Sequence, residues 1–210
     1  MKKYAWIGIA GALTMAVSDV ILLGLPVSGS YYDISSLGAL EHIDPLRAAP
    51  GSMLGLVASF FICFGFWHLK KLFEPVNRTL STILFVALSS MMFFGGAFHA
   101  GYYFLANGGM NGEPLNLVPQ AVLNDFRNHL EVLSWLGVPG FLTGAILYFK
   151  LGSDSRFPRW FRFSNPLLVS GFFLGLFYVL PAPVGGYIRP TFVNAATATV
   201  FILSLKIKAA

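Results

Sequence analysis

The sequence predicts an all-α polytopic membrane protein, a bundle of six transmembrane helices with both termini cytoplasmic. Three observations predict it. The chain is 56% hydrophobic and only 11% charged, well outside the composition of a soluble domain. Its apolar residues fall in blocks of about 20, the length that crosses a hydrocarbon core of about 30 Å. Its basic residues sit beside those blocks, predominantly on one side. The expected spans are 4–25, 52–69, 79–105, 129–149, 164–182 and 190–206, forming one integral membrane domain over 1–210. With the N-terminus inside, eleven of the 14 Lys and Arg residues lie on the inner side, and only Arg47, Arg127 and Arg189 lie outside. That positive-inside bias places both termini in the cytoplasm.

A multi-pass protein of a cell membrane follows, in the cytoplasmic (inner) membrane if bacterial, with membrane lipids as its neighbours. The net charge of +5 is accounted for by topology, so no nucleic-acid partner is expected. Cys63 is the single cysteine, which excludes an intrachain disulfide, a CxxC redox pair and a thiolate metal cluster. Residues 1–25 read as a retained helix rather than a signal peptide. The apolar part is too long for an h-region, it carries Asp19, and Leu25–Gly29 is a poor cleavage site.

Span one places Gly8, Ala12, Met15 or Ala16, and Asp19 on one face at spacings of three and four. Small stripes are where membrane helices touch, so Asp19 points at protein, as an ionisable group in lipid must. The outer loop 26–51 is long and contains Asp33, Glu41 and Asp44. Its stretch 37–47 mixes apolar and charged residues as an interfacial segment does. Span two ends in Trp67-His68-Leu69-Lys70-Lys71, an aromatic and basic interface anchor.

Span three contains Gly95-Gly96-Ala97-Phe98-His99-Ala100-Gly101-Tyr102-Tyr103. His99 lies ~30 Å and Asp19 ~22 Å up their outward-running helices, both in the outer third. The glycines one turn below let a helix or a ligand approach the imidazole, and the tyrosines one turn above offer hydroxyls. The outer loop 106–128 includes Glu113, and from Pro119 a helix extends span four outwards. Asp125 and His129 share a face there, as do Arg127 and Glu131, and His129 comes level with His99. Gly171 and Gly175 of span five form a GxxxG packing motif. The Pro-rich stretch 180–190 reads as a tight outer turn that delivers Arg189 to the outer surface. Asn194 and Thr197 read as interhelical hydrogen-bonders.

Asp19, His99 and His129, with Asp125, Glu131 and Arg189, thus converge on the outer third. Two imidazoles and a carboxylate are the ligand set of an open zinc site. In that reading Asp19, His99, His129 and Asp125 are metal ligands. Asp19, His99, His129 and Glu131 form the catalytic group, and Tyr102, Tyr103 and Arg189 bind substrate. The chemistry is hydrolysis of a lipid or small amphiphile. The constellation partly resembles the intramembrane hydrolases related to alkaline ceramidase and the adiponectin receptors, which use an Asp and three His in a seven-helix bundle. It departs from them in having six spans and no His-x-x-x-His on the last helix. Three other readings need no zinc: an acid–base isomerase, a small transporter or ligand-binding membrane protein, and bis-histidine haem ligation by His99 and His129. Ser18 beside Asp19 is not read as a nucleophile, because neighbours on a helix point about 100° apart. The bland alternative is a buried structural network.

Overall fold

The computed structural model describes residues 2–29, 45–107 and 120–207, and all their regular structure is helical. Four long helices come first: α1, Lys2–Leu23; α2, Pro45–Phe73; α3, Arg78–Asn107; and α4, Gln120–Gly152. At 1.5 Å per residue they run from about 33 to about 50 Å. Each contains a segment long and apolar enough to cross a membrane. After the 3-10 turn Phe161–Phe163 come α5, Pro166–Tyr178, and the single-turn α6, Val184–Ile188. A second 3-10 turn, Arg189–Thr191, leads into α7, Phe192–Ser204. Tyr31, Tyr32, Asp33, residues 37–44 of the expected interfacial segment, Glu113 and Pro119 lie outside the described residues.

The last two spans differ from expectation. Helices α5 and α7 have 13 residues each, about 20 Å, which is short of a bilayer. The stretch expected as a plain turn over 180–190 is itself partly helical. From Val184 to Ser204 the chain stays helical and changes pitch at Arg189–Thr191. Pro190 sits there, and without an N–H it cannot continue the α-helical ladder.

Consecutive long helices pack as neighbours, and α7 lies between α1 and α5. Helix α4 meets α5 only slightly, so the order α5–α7–α1–α2–α3–α4 curls into an incomplete ring. The tightest contact is α1 on α2. A Cβ on Gly8 would strike the Gly65 backbone, and one on Gly11 would strike the backbone of Phe61 and Ile62. Gly8, Ala12, Met15 and Asp19 are all buried, as the small-residue stripe predicts. Gly171 and Gly175 are not packing residues among the described ones: both are exposed, with open space over their Cα atoms. Helix α5 is the end of the row, and its GxxxG faces away from α7.

Helix ends are satisfied by side chains both near and far in sequence. Arg47, expected in the outer loop, is inside α2 and donates to the carbonyls of Val20 and Gly24, both at 2.9 Å. It thereby caps the C-terminus of α1. Asn77 caps α3 by accepting from the Leu80 N–H at 2.9 Å. Asn165 accepts from the Leu167 N–H at 2.9 Å and donates to the Ala145 carbonyl at 2.6 Å, tying the start of α5 to α4. At the other end of α2, the Trp67 ring lies 4.8 Å from Lys70 Nζ and 5.3 Å from Lys71 Nζ. Hydrogen bonds from Lys71 and Lys70 hold the Glu74 carboxyl down at about 2. His68, expected at the interface, is buried instead.

The core forms two clusters. The larger gathers Met15, Ile62, Phe66, Leu88, Met92, Tyr148, Phe161 and Phe201, among others. The smaller holds Leu22, Leu23, Ala48, Phe98, Tyr102, Leu105 and Leu130. Asp19 falls between Met15 and Leu22 on α1, and His99 between Met92 and Tyr102 on α3. The polar site therefore sits where the two apolar clusters meet.

Candidate functional site

Asp19 and His99 meet. Asp19 is 4% exposed and His99 8%, and His99 Nε2 lies 3.3 Å from Asp19 Oδ1. Two further side chains complete the network. Asn194 of α7 donates from Nδ2 to Asp19 Oδ2 at 2.6 Å. Ser18 Oγ lies 3.3 Å from His99 Nδ1 and donates to the Gly51 carbonyl of α2 at 2.6 Å. Four helices thus converge on one imidazole–carboxylate pair. Gly55 of α2 makes room for it, since a Cβ there would strike the His99 ring and Ser18 Oγ.

The network fixes its own proton inventory. A carbonyl only accepts, so the single hydroxyl hydrogen of Ser18 goes to Gly51. At His99 Nδ1, Ser18 Oγ then accepts, and Nδ1 carries a proton. Asp19 takes an N–H from Asn194 on one oxygen and faces Nε2 with the other. A proton placed between Nε2 and Oδ1 would turn that 3.3 Å contact into a hydrogen bond.

The pair lines an open-sided cavity of about 290 Å³. Helix α1 contributes Met15 and Asp19 to its walls, and α3 contributes Met91, Met92, Gly95 and His99. Helix α4 contributes Ser134, Gly137, Val138 and Phe141; Pro190, Val193 and Asn194 close the far side. The two glycines below His99 divide the work expected of them. Gly96 packs on Ser59 of α2, while a Cβ on Gly95 would meet nothing within 4 Å and would project into the cavity. Ser18 is fully buried and is not among the lining residues, so it positions the ring rather than reaching a ligand. A larger apolar groove of about 500 Å³ runs along α2 and α3, lined in part by Phe60, Cys63 and Phe93. Its described lining residues offer hydroxyls and a thiol but no acid–base pair.

Over residues 1–209 the chain matches a family of unknown function, DUF6796. The chain belongs to that family. No curated protein and no solved structure matches it. Family membership therefore brings no activity with it.

The remaining expected site residues lie elsewhere. His129 is exposed, and its Nδ1 lies 2.9 Å from the backbone oxygen of Asp125 on its own helix. Asp125 and Glu131 are exposed on α4 as well. The expected depth fits: Leu130 packs directly over Gly101, two residues beyond His99. The face differs, because Leu130 points inward and His129 is about 100° round the helix from it. Among the described residues, no three His, Cys, Asp or Glu side chains gather as a metal group.

Arg189, expected at the outer rim, is buried at 6% exposure. It donates to the Gly29 carbonyl and stacks 5.0 Å from the Tyr178 ring, while its neighbour Pro190 lines the cavity. Tyr102 is buried against Phe98, and Tyr103 is exposed; neither lines the cavity. Asn194 is the interhelical hydrogen-bonder expected, whereas Thr197 donates to Val193 of its own helix at 2.8 Å. Sequence reasoning missed Ser18, Gly51 and Gly55. The signal was present as Gly51-x-x-x-Gly55, a GxxxG pair on the helix that receives Asp19's neighbour.

Proposed function

We propose that the protein is a membrane-embedded acid–base enzyme, in which the Asp19–His99 pair moves a proton on a small amphiphile held in the adjoining cavity. The observation that carries this reading is the pair itself. It is a buried carboxylate and imidazole 3.3 Å apart, oriented from behind by Ser18 and Asn194, and open on one side to an apolar cavity. Such a pair contains an acid and a base at once. It can take a proton from one atom of a bound molecule and return one to another, with no change of oxidation state. Isomerisation is the simplest reaction of that kind, and positioned acid–base groups are worth about 10²–10⁴-fold.

The test uses purified protein in nanodiscs containing a membrane lipid extract in D2O. Mass spectrometry is expected to show deuterium entering the carbon skeleton of an amphiphile, and Asp19→Asn and His99→Gln are each expected to stop it. Incorporation at the same rate in those variants would overturn the reading. A zinc hydrolase requires His129 to join the pair, which the face it occupies on α4 disfavours. One equivalent of bound zinc, released by both His99→Ala and His129→Ala, would favour that reading instead.

The orientation proposed is that of the Lys/Arg asymmetry: both termini inside, with the pair in the outer half. Reporter fusions after Gly112 and after Ser153 are expected to fall in opposite compartments. A shared compartment would remove the six-span topology.

A further inference from the structure

We infer that the alkyl chain of the amphiphile lies in the cleft between α4 and the α5–α7 pair, running from the Asp19–His99 cavity to a floor at Phe149. This deepens the acid–base reading of the same site and rests on it for where the head lies. Three observations carry the inference.

The first is the gap in the ring of helices, which stays open because α4 meets α5 only slightly. Two hollows face that gap. The cavity beside the pair, about 290 Å³, has α4 on one side and Val193 and Asn194 of α7 on the other. A second hollow, about 300 Å³, sets Ala145, Ile146 and Phe149 of α4 against Leu167 and Leu168 of α5. Each is roughly twice the size of an engineered cavity that admits benzene.

The second is alignment. Ser134, Val138 and Phe141 line the cavity, and Ala145 and Phe149 line the second hollow. They follow at spacings of three and four, which places all five on one side of α4. Phe141 and Ala145 are one turn apart, so the hollows stand end to end. From Ser134 to Phe149 is about 22 Å along the axis. That is somewhat more than one leaflet of a hydrocarbon core about 30 Å thick, which leaves length for a head beside the pair and a single chain beyond it.

The third is the chemistry of the second hollow and of its end. Its one amide, Asn165, is already committed: Nδ2 donates to the Ala145 carbonyl at 2.6 Å, and Oδ1 accepts from the Leu167 N–H at 2.9 Å. What remains is apolar, so water gains little there, and an unfilled gap forfeits dispersion contacts. A hydrocarbon chain fills it at no polar cost. The Phe149 ring lies 6.2 Å from the Phe163 ring. The Arg162 guanidinium is 5.9 Å from Phe149 and 4.8 Å from Phe163. A chain that reaches this floor meets two aromatic rings backed by a cation, so the cleft measures chain length.

The experiment uses the full chain in nanodiscs and two photoactive hexadecanols, one with its diazirine beside the hydroxyl and one with it near the tail end. Peptide mass spectrometry after irradiation reads where each attaches. The first is expected on Met91, Met92 and residues 134–141, the second on residues 145–149 and on Leu167 and Leu168. Excess unlabelled hexadecanol is expected to abolish both patterns. Leu168→Trp fills the second hollow and is expected to lower tail labelling there about tenfold, the low end of what a misfit of one methylene costs in a pocket. The comparison of the two probes on the unaltered chain stands even where that variant fails to fold.

Identical labelling by the two probes, labelling that unlabelled hexadecanol does not displace, or no labelling of the second hollow would each overturn the inference. Rapid disulfide-linked dimerisation of Leu168→Cys in liposomes, absent from the unaltered chain, would also overturn it by placing a second copy in the cleft. The two readings at this site fail separately. Deuterium incorporation without displaceable tail labelling removes the cleft and leaves the acid–base reading. Displaceable labelling of both hollows without incorporation into any amphiphile does the reverse.

Discussion

Asp19→Ala is expected to lose about 3–5 kcal/mol of stability, the cost of breaking a buried pair from one side. The alanine leaves the Asn194 amide hydrogen without its acceptor at 2.6 Å and the His99 Nε2 group without its carboxylate at 3.3 Å. Removing both partners is a different experiment. Asp19→Leu combined with His99→Phe replaces the pair with apolar groups of similar bulk, and such replacements are often neutral or stabilising. The double variant is therefore expected to be several kcal/mol more stable than the sum of the two single losses. Thermal or denaturant unfolding in nanodiscs measures Asp19→Ala, the double variant and its two component singles. Deuterium incorporation should be absent from all four, whatever their stability. A double variant that folds well and still turns over would show the pair to be a structural network. A double variant as unstable as the sum would show that the two side chains are not coupled.

Much of the site was legible because the membrane makes polar residues conspicuous. Asp19 is the one carboxylate within the first span. Its spacing from Gly8, Ala12 and Met15 fixed the face of α1 without any knowledge of α2. His99 followed from depth, and the neighbouring glycines indicated that something approaches it. Depth is a count of residues along an axis, so it survives errors of a residue or two. Azimuth does not, because each residue turns the helix by about 100°. His129 failed on that ground: it stands level with the site, but its neighbour Leu130 takes the inward position over Gly101.

The other differences have equally local causes. The Pro-rich sequence before Arg189 predicts an exposed turn, but the chain there is helical and folds the guanidinium under the Gly29 carbonyl. The two GxxxG pairs show what the motif can and cannot say. Gly51 and Gly55 receive Ser18 and His99, whereas Gly171 and Gly175 face open space at the end of the helix row. Spacing establishes that a close approach is possible. Which helix makes it depends on the order in which the helices assemble, and no single segment carries that order.

Gly95→Leu is expected to separate function from folding. Gly95 lies one turn below His99, lines the cavity, and an added Cβ meets nothing within 4 Å. The leucine therefore grows into empty space, and stability should hold or rise by up to about 1 kcal/mol, because glycine is a poor interior helix residue. Turnover is expected to fall at least a hundredfold, since one methylene in a pocket is already worth about 10–200-fold. Its neighbour gives the opposite pattern. A Cβ on Gly96 would stand 2.7 Å from Ser59 Oγ, so Gly96→Ala strains the α2–α3 contact and should lower Tm while leaving the cavity open. Gly55→Ala should damage both properties, because its Cβ displaces the His99 ring itself. Unfolding in nanodiscs and deuterium incorporation, measured on the three variants together, give each a distinct signature. Normal turnover by Gly95→Leu would mean that the substrate sits elsewhere, because a side chain of that size takes up a large share of the 290 Å³ beside Asp19 and His99.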